Sequence, residues 1–315
     1  KRTKALEDMK NYYNGYLFNE DAQTRLYNPD MVLHFMKYFQ NGEYPNKLID
    51  MNVKTDYSKI QRLINEDRLQ EGSKIEQILE EEEIITKLIE MFPLEAITNK
   101  DELISLMFYM GMLTIDEPIL ANVKLRVPNL VIKEIYWQYI YRKVNRALGD
   151  TVDIYSITKA TQTLAETGNP EAFIEYAYDK VMQYISNRDL IKMEEKHIKM
   201  IFLSFLSMNE IYIPYSELEM GDFLKDKKVP RSVEETKLHT SMVLVPDTRY
   251  NIKNSQIWEL KYIKDNEDPK EKIKEAKDQI KRYEQDQKFQ RLAQGTTIHK
   301  HIILAFKDHV EILEQ

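Results

Sequence analysis

The sequence predicts an α+β protein in two parts: a mainly helical N-terminal region carrying a two-stranded wing, then a C-terminal unit of order αβββαβ. Three observations carry that expectation. Two short runs rich in strand formers, 112–115 and 123–127, sit between apolar helical stretches. Beyond residue 187, two amphipathic helical stretches alternate with four strand-like runs. The 315 residues, 43% hydrophobic and 31% charged, suffice for two domains, each with its own core.

Bulk composition narrows the function classes. No run approaches the roughly 18 apolar residues of a membrane span, so no membrane partner is expected. Cysteine is absent, which removes disulfides and thiolate metal sites and is compatible with a reducing cytosol. The sequence opens on Lys1 rather than methionine, so no targeting segment is read from it. A net charge of −7 gives no global attraction to a polyanion; a nucleic acid would have to be met by a local basic surface. Even the lysine-rich stretch from Glu259 to Arg291 holds ten Lys or Arg against nine Asp or Glu, so charge adds little to the case for DNA.

In chain order, Tyr12-Tyr13-Asn14-Gly15-Tyr16 and Tyr27-Asn28-Pro29 place aromatic residues around two turn signals, Asn-Gly and Asn-Pro, and read as aromatic core. A helix follows Asn28, with Asp30 near its start and Val32, Phe35, Met36 and Phe39 on one face. Residues 58–92 read as helices broken at Gly72-Ser73, where Ser73 and Glu76 form a capping box. The acidic run Glu80 to Glu83 then reads as the solvated side of a helix whose apolar side holds Ile84, Ile85, Leu88 and Ile89. Asp101 to Met110 is an apolar helix ended by Gly111. The two strand-like runs follow, joined by a turn at Asp116-Glu117-Pro118, and Pro128-Asn129 opens a helix through Ile132, Ile135, Tyr136 and Tyr139. Helix, two-stranded wing, helix is the order of winged-helix domains, which bind DNA or dock proteins. No arginine-rich recognition helix is present, so docking or scaffolding is the favoured role. Residues 142–190 read as helices broken at Thr167-Gly168-Asn169-Pro170. The expected division is a helical and winged-helix region over 1–145, a helical connector over 146–186 and a final domain over 187–315.

That final domain opens with an amphipathic helix, Glu194 to Leu206, apolar at Ile198, Ile201, Phe202 and Phe205. A strand at 211–219 follows, with Pro214 marking an edge or a bulge, then a polar loop over 220–238. Ser241 to Pro246 and Gln256 to Tyr262 are the next strands. A helix over 270–288 turns Ile273, Ala276, Ile280 and Tyr283 inward, and His301 to Phe306 is the last strand. The centre of interest is Gln256-Ile257-Trp258-Glu259-Leu260-Lys261-Tyr262. Alternation puts Glu259 and Lys261 on one face and Leu260 on the other, so a carboxylate and an ammonium stand side by side where a divalent metal and a phosphate could meet. Taken alone, the same two residues would serve as a solvated ion pair worth at most about 1 kcal/mol. Of the other chemistry-bearing residues, His197 reads as a helix-surface histidine. His299 and His301 share a strand face without a third ligand at zinc spacing, His309 notwithstanding. The 14 methionines read as core filler.

The αβββαβ order, the Glu259-x-Lys261 strand and Gln279-Ile280-Lys281-Arg282-Tyr283 on the following helix resemble the core of the PD-(D/E)XK nuclease superfamily, exonuclease-like branch. Glutamine and tyrosine four apart share one helical face, where they would brace the site or touch nucleic acid. Tyr13-Asn14-Gly15-Tyr16, Tyr27-Asn28-Pro29, the Phe-Tyr-Met-Gly core of Leu103 to Ile115, Glu195-Lys196, Ser216-Glu217-Leu218-Glu219 and Glu259-Leu260-Lys261-Tyr262 extend the resemblance over nearly the whole chain. They are similar to a bacterial family common in Bacteroidetes that joins an AAA-ATPase-like domain to a C-terminal PD-(D/E)XK nuclease-like domain. No G-x-x-x-x-G-K-[ST] occurs here, so this chain has no ATP site of its own and corresponds to the part following the ATPase.

The resemblance implies a central mixed sheet, a cytoplasmic location, Mg²⁺ or Mn²⁺ as cofactor, DNA as substrate and an ATPase domain in cis or trans as partner. It implies Glu195 and Glu259 as metal ligands, Lys261 as catalytic lysine, and Gln279 and Tyr283 as supporting residues. It also places the family's metal-binding aspartate on Ser241. A hydroxyl there removes a full charge from a hard-cation site, and the loss of even an indirect ligand partner costs roughly 10- to 100-fold. Glu217 or Glu219 could substitute, with Asp222 and Asp247 the weaker choices. Two readings stay open: a metal-dependent deoxyribonuclease impaired at Ser241, and a catalytically degenerate module that binds nucleic acid or protein, or regulates an ATPase.

Overall fold

The computed structural model describes residues 2–50, 78, 83–91, 100–186, 194–215, 241–247, 249–265 and 267–315. It divides into two compact units, Lys1–Tyr139 and Ile140–Gln315. Among the described residues no helix is long and apolar enough to cross a membrane.

In the first unit, helix α1 (Arg2–Tyr13) runs into strand β1 (Asn14–Tyr16), which pairs antiparallel with β2 (Leu26–Tyr27). Tyr12, Tyr13 and Tyr16 are buried, as an aromatic core requires, whereas Tyr27 is exposed. Gly15 has φ +125°, and a Cβ there would collide with the Pro128 carbonyl, so this position admits only glycine. Asn28 caps helix α2 (Pro29–Phe39) by accepting from Met31 N–H, with proline in the first turn. The buried positions of α2 are Met31 and Phe35; Met36, expected on the inner face, is exposed.

Strands β4 (Thr114–Ile119) and β5 (Asn122–Arg126) form the expected hairpin between helix α3 (Lys100–Tyr109) and helix α4 (Leu130–Ala147). The wing, however, has a third strand. Glu83–Thr86, expected on a helix, is strand β3 and pairs antiparallel with β5, giving the order β3-β5-β4. Its side chains alternate, Ile84 and Thr86 buried and Ile85 exposed, which is the period of a half-covered strand. Opposite β5, the β-branched pair Ile84-Ile85 meets Leu125 and Lys124, and tertiary pairing overrides the helical spacing of the isoleucines. The expected capping box at Ser73 and Glu76 lies outside the described residues.

The second unit is built on a five-stranded sheet in the order β10-β9-β8-β7-β6, comprising β6 (Tyr212–Tyr215), β7 (Ser241–Pro246), β8 (Asn254–Tyr262), β9 (Thr297–Ala305) and β10 (Val310–Glu314). Only β8 and β9 are parallel; the other pairs are antiparallel, so the sheet is mixed. Helix α7 (Glu195–Leu206) precedes it, and helices α8 (Pro269–Glu284) and α9 (Gln287–Leu292) make the crossover that parallel neighbours need. Pro214 sits on the edge strand, where a missing N–H costs no ladder bond. Two features exceed the expected αβββαβ order. The last strand begins at Thr297, and β10 extends the sheet beyond it.

Helices α5 (Ile154–Thr167) and α6 (Glu171–Ser186), expected as a connector, are tied to this sheet. Asn254 Nδ2 donates to the Ala165 and Glu166 carbonyls, Gln256 Nε2 donates to Gly168 O, and Asn254 Oδ1 accepts from His299 Nε2 at 2.8 Å. Gly168 closes α5 at φ +79°; a Cβ there would strike the His299 ring. Phe173 of α6 lies against Trp258, ring centroids 5.8 Å apart.

Candidate functional site

Strand β8 is flanked on both sides, by antiparallel β7 and parallel β9, so its backbone bonds are shared in two ladders. A strand in that position is covered on both faces and reads as a continuous apolar run. From Ser255 to Lys261 every residue is buried, yet the run contains Gln256, Glu259 and Lys261. Each of these polar groups must therefore find its partner inside the protein.

The two faces of β8 solve this differently. On one, Gln256 bonds the α5–α6 turn while its Oε1 accepts from Trp258 Nε1 at 3.1 Å. From the other, Lys261 Nζ lies 3.0 Å from Glu259 Oε1 and donates to Gln279 Oε1 of α8 at 2.7 Å. Neither charged side chain has any exposed surface. Withdrawing such a pair from water costs several kcal/mol per ion, and well-packed apolar side chains would hold the sheet equally well. Stability is a poor reason for keeping this pair, and chemistry is a better one.

Helix α8 brings Gln279 to the strand because Asp268 caps its start, accepting from Lys270 N–H ahead of Pro269. Ala276, Ile280 and Tyr283 are its buried positions. Tyr283 thus lies one turn from Gln279, in the core of the unit.

At the end of β8, Glu195 of the first turn of α7 accepts the backbone N–H of Tyr262 at Oε1, 2.8 Å. Burial raises the carboxyl above its ordinary pKa. The Tyr262 N–H and the charges of Lys261 and Lys272 pull it back, and Glu275 pushes it further up. Lys272 and Glu275 were missed in the sequence. With Gln279 they are spaced i, i+3, i+7 along α8, the spacing of one helical stripe, which was the available signal.

Glu259, Lys261 and Gln279 are in direct contact, and Glu195 lies within the electrostatic reach of Lys261. Ser241 is the ladder partner of Glu259 across β7 and β8, so the neutral residue stands at the register position opposite the carboxylate. Glu217, Glu219 and Asp222 lie outside the described residues. Asp247 is not a replacement ligand. Its oxygens are taken by the Arg249 backbone N–H, Nε and Nη2, at 2.8, 3.0 and 3.0 Å, and Arg249 also reaches Glu210 at 3.1 Å.

Among the described residues no three His, Cys, Asp or Glu side chains converge on a common point as a metal cage. The site offers two carboxylates, Glu259 and Glu195. That complement fits Mg²⁺ bound by one or two carboxylates, with substrate phosphates and water completing its shell. It does not fit an all-protein site. His299 is committed to Asn254, and His301 is buried, which drops its pKa to about 4; neither belongs to a zinc cluster.

Residues 238–315 match the family model of the PD-(D/E)XK nuclease superfamily. The match takes in β7 to β10 with α8 and α9, and so contains Ser241, Glu259, Lys261, Gln279 and Tyr283, while Glu195 lies outside it. No curated protein matches the chain.

Proposed function

We propose that the C-terminal unit is a metal-dependent nuclease-like hydrolase that cleaves DNA phosphodiester bonds, with turnover lowered by serine at position 241. The observation that carries this is the water-excluded chain Glu259–Lys261–Gln279 inside the matched domain. Glu259 and Glu195 would hold Mg²⁺ or Mn²⁺, which when bound polarises the phosphate and acidifies a water. Lys261, fixed at one end of its reach by Gln279, supplies a positive charge where the phosphate becomes more negative. Gln279 positions that ammonium, and Tyr283 anchors the same helical face in the core.

A second reading has its own observation. Because the ladder partner of Glu259 is a serine and Lys261 already neutralises Glu259, the unit also suits a non-catalytic module that binds nucleic acid or protein. In either case the N-terminal region, with its helix–wing–helix order, would be a winged-helix docking region attached to an AAA-ATPase-like partner in the bacterial cytoplasm. The boundaries proposed for these parts are 145 and 186.

Cleavage of supercoiled plasmid and end-labelled linear DNA in Mn²⁺ or Mg²⁺ separates the two. The hydrolase reading expects metal-dependent cutting that disappears in Glu259→Ala and Lys261→Ala. DNA binding indifferent to metal and to both substitutions would favour the module.

A further inference from the structure

We propose that Lys261 is a resident counter-ion on Glu259 that a divalent cation must displace, so the free protein binds metal weakly and a phosphodiester brings the metal in with it. The inference rests on the hydrolase reading above. Its basis is charge balance in a place without water. Lys261 Nζ sits 3.0 Å from Glu259 Oε1, is anchored on its other side by Gln279 at 2.7 Å, and both charges are wholly buried. The described charges at the site are then one ammonium and two carboxylates, Glu259 and Glu195, a net of one negative charge when all are ionised. Lys272 and Glu275, which also act on Glu195, offset each other.

A divalent ion alone would leave such a site with an uncompensated positive charge, which burial penalises. A phosphodiester carries one negative charge and restores neutrality. An aspartate at position 241, opposite Glu259 in the ladder, would do the same job from the protein side and let the metal bind first. Serine at that position therefore changes the order of events and not only the rate. Metal and substrate become mutually dependent ligands, and the coupling is reciprocal.

Mn²⁺ titration followed by the electron paramagnetic resonance of the free ion tests this on the full chain. The wild type is expected to half-saturate only in the millimolar range. Ser241→Asp, which adds the missing charge, and Lys261→Gln, which keeps a hydrogen-bonding group but removes the competing charge, should each bind at least about tenfold tighter. A short DNA duplex should strengthen wild-type binding relative to Glu259→Gln with the same duplex. Micromolar binding by the free wild type overturns the proposal, as does an unchanged affinity in Ser241→Asp; if Lys261→Gln fails to fold, these two results still decide. Tight metal binding with cleavage would sink this inference and leave the hydrolase standing. Weak binding rescued by Ser241→Asp without cleavage by either protein would do the reverse.

Discussion

Two buried ion pairs lie in the same sheet, each between residues two apart in the chain, and they are built to different ends. At the end of β7, Asp247 is bound by the Arg249 backbone N–H and by two guanidinium nitrogens, and Glu210 takes a further donor. Every strong group there is occupied by a neighbour of matching geometry, as the planar fork of arginine allows. On β8, Lys261 holds one oxygen of Glu259 and one amide oxygen of α8. An ammonium is a point charge on a flexible stem, and it can be moved aside without breaking the strand that carries it. The first arrangement locks a turn, and the second keeps a carboxylate and an amine ready for exchange. Saturation separates the two, since both are buried.

Breaking the Arg249 clamp should have the largest effect on stability. Asp247→Ala leaves a buried guanidinium short of its best partner, and a loss of about 3–5 kcal/mol is expected in denaturant unfolding. Cleavage per folded molecule should not change. Breaking the other pair should act on chemistry. Glu259→Gln and Lys261→Gln are each expected to lower metal-dependent DNA cleavage by about 100- to 1000-fold, read at matched folded fraction from thermal melts. A large stability loss with unaltered cleavage would turn the comparison upside down.

His301 sharpens the same comparison with a buried titratable group that is held neutral. It sits opposite Glu314 in the ladder, and its Nδ1 is buried without a hydrogen-bond partner. Burial is the main cause of its lowered pKa, about 4 against an ordinary 6.5; the Glu314 charge opposes the drop and His299 adds to it. The unfolded chain therefore takes up the proton first as pH falls. This histidine's contribution is intact above pH 6.5 and is lost progressively toward pH 4, about 3 kcal/mol at most. His301→Phe should flatten that part of the stability–pH curve; an identical acid limb in wild type and variant would contradict the assignment. The smallest effect is expected from adding charge. Ser241→Asp should raise cleavage at limiting Mn²⁺ by about 10- to 100-fold.

How far the sequence was legible depended on whether the signal was local. Strand β8 and helix α8 could be read because Trp258-Glu259-Leu260-Lys261 alternates and Gln279 and Tyr283 share a helical face, and α2 because Asn28-Pro29 announces a capped helix. The strand at Glu83–Thr86 could not, since Ile84, Ile85, Leu88 and Ile89 also satisfy helical spacing and only Val123 and Leu125, some forty residues on, decide for pairing. The ties from Asn254, Gln256 and His299 to the α5–α6 turn are single long-range bonds without a period, and they turn an expected connector into part of the sheet's support. Within the site, the neighbourhood of Glu259, Lys261 and Gln279 was legible from spacing and resemblance. The seating of Glu195 on the Tyr262 N–H was not, because a backbone donor leaves no mark in sequence.

The most direct test of the central claim compares Mn²⁺-dependent DNA cleavage by the wild type and by Glu259→Gln, two proteins that differ by one charge at a buried position. The account predicts slow cutting by the wild type that rises with Mn²⁺ and vanishes in the variant while both remain folded. Equal cleavage by the two, or none by the wild type at saturating metal and DNA, would contradict it.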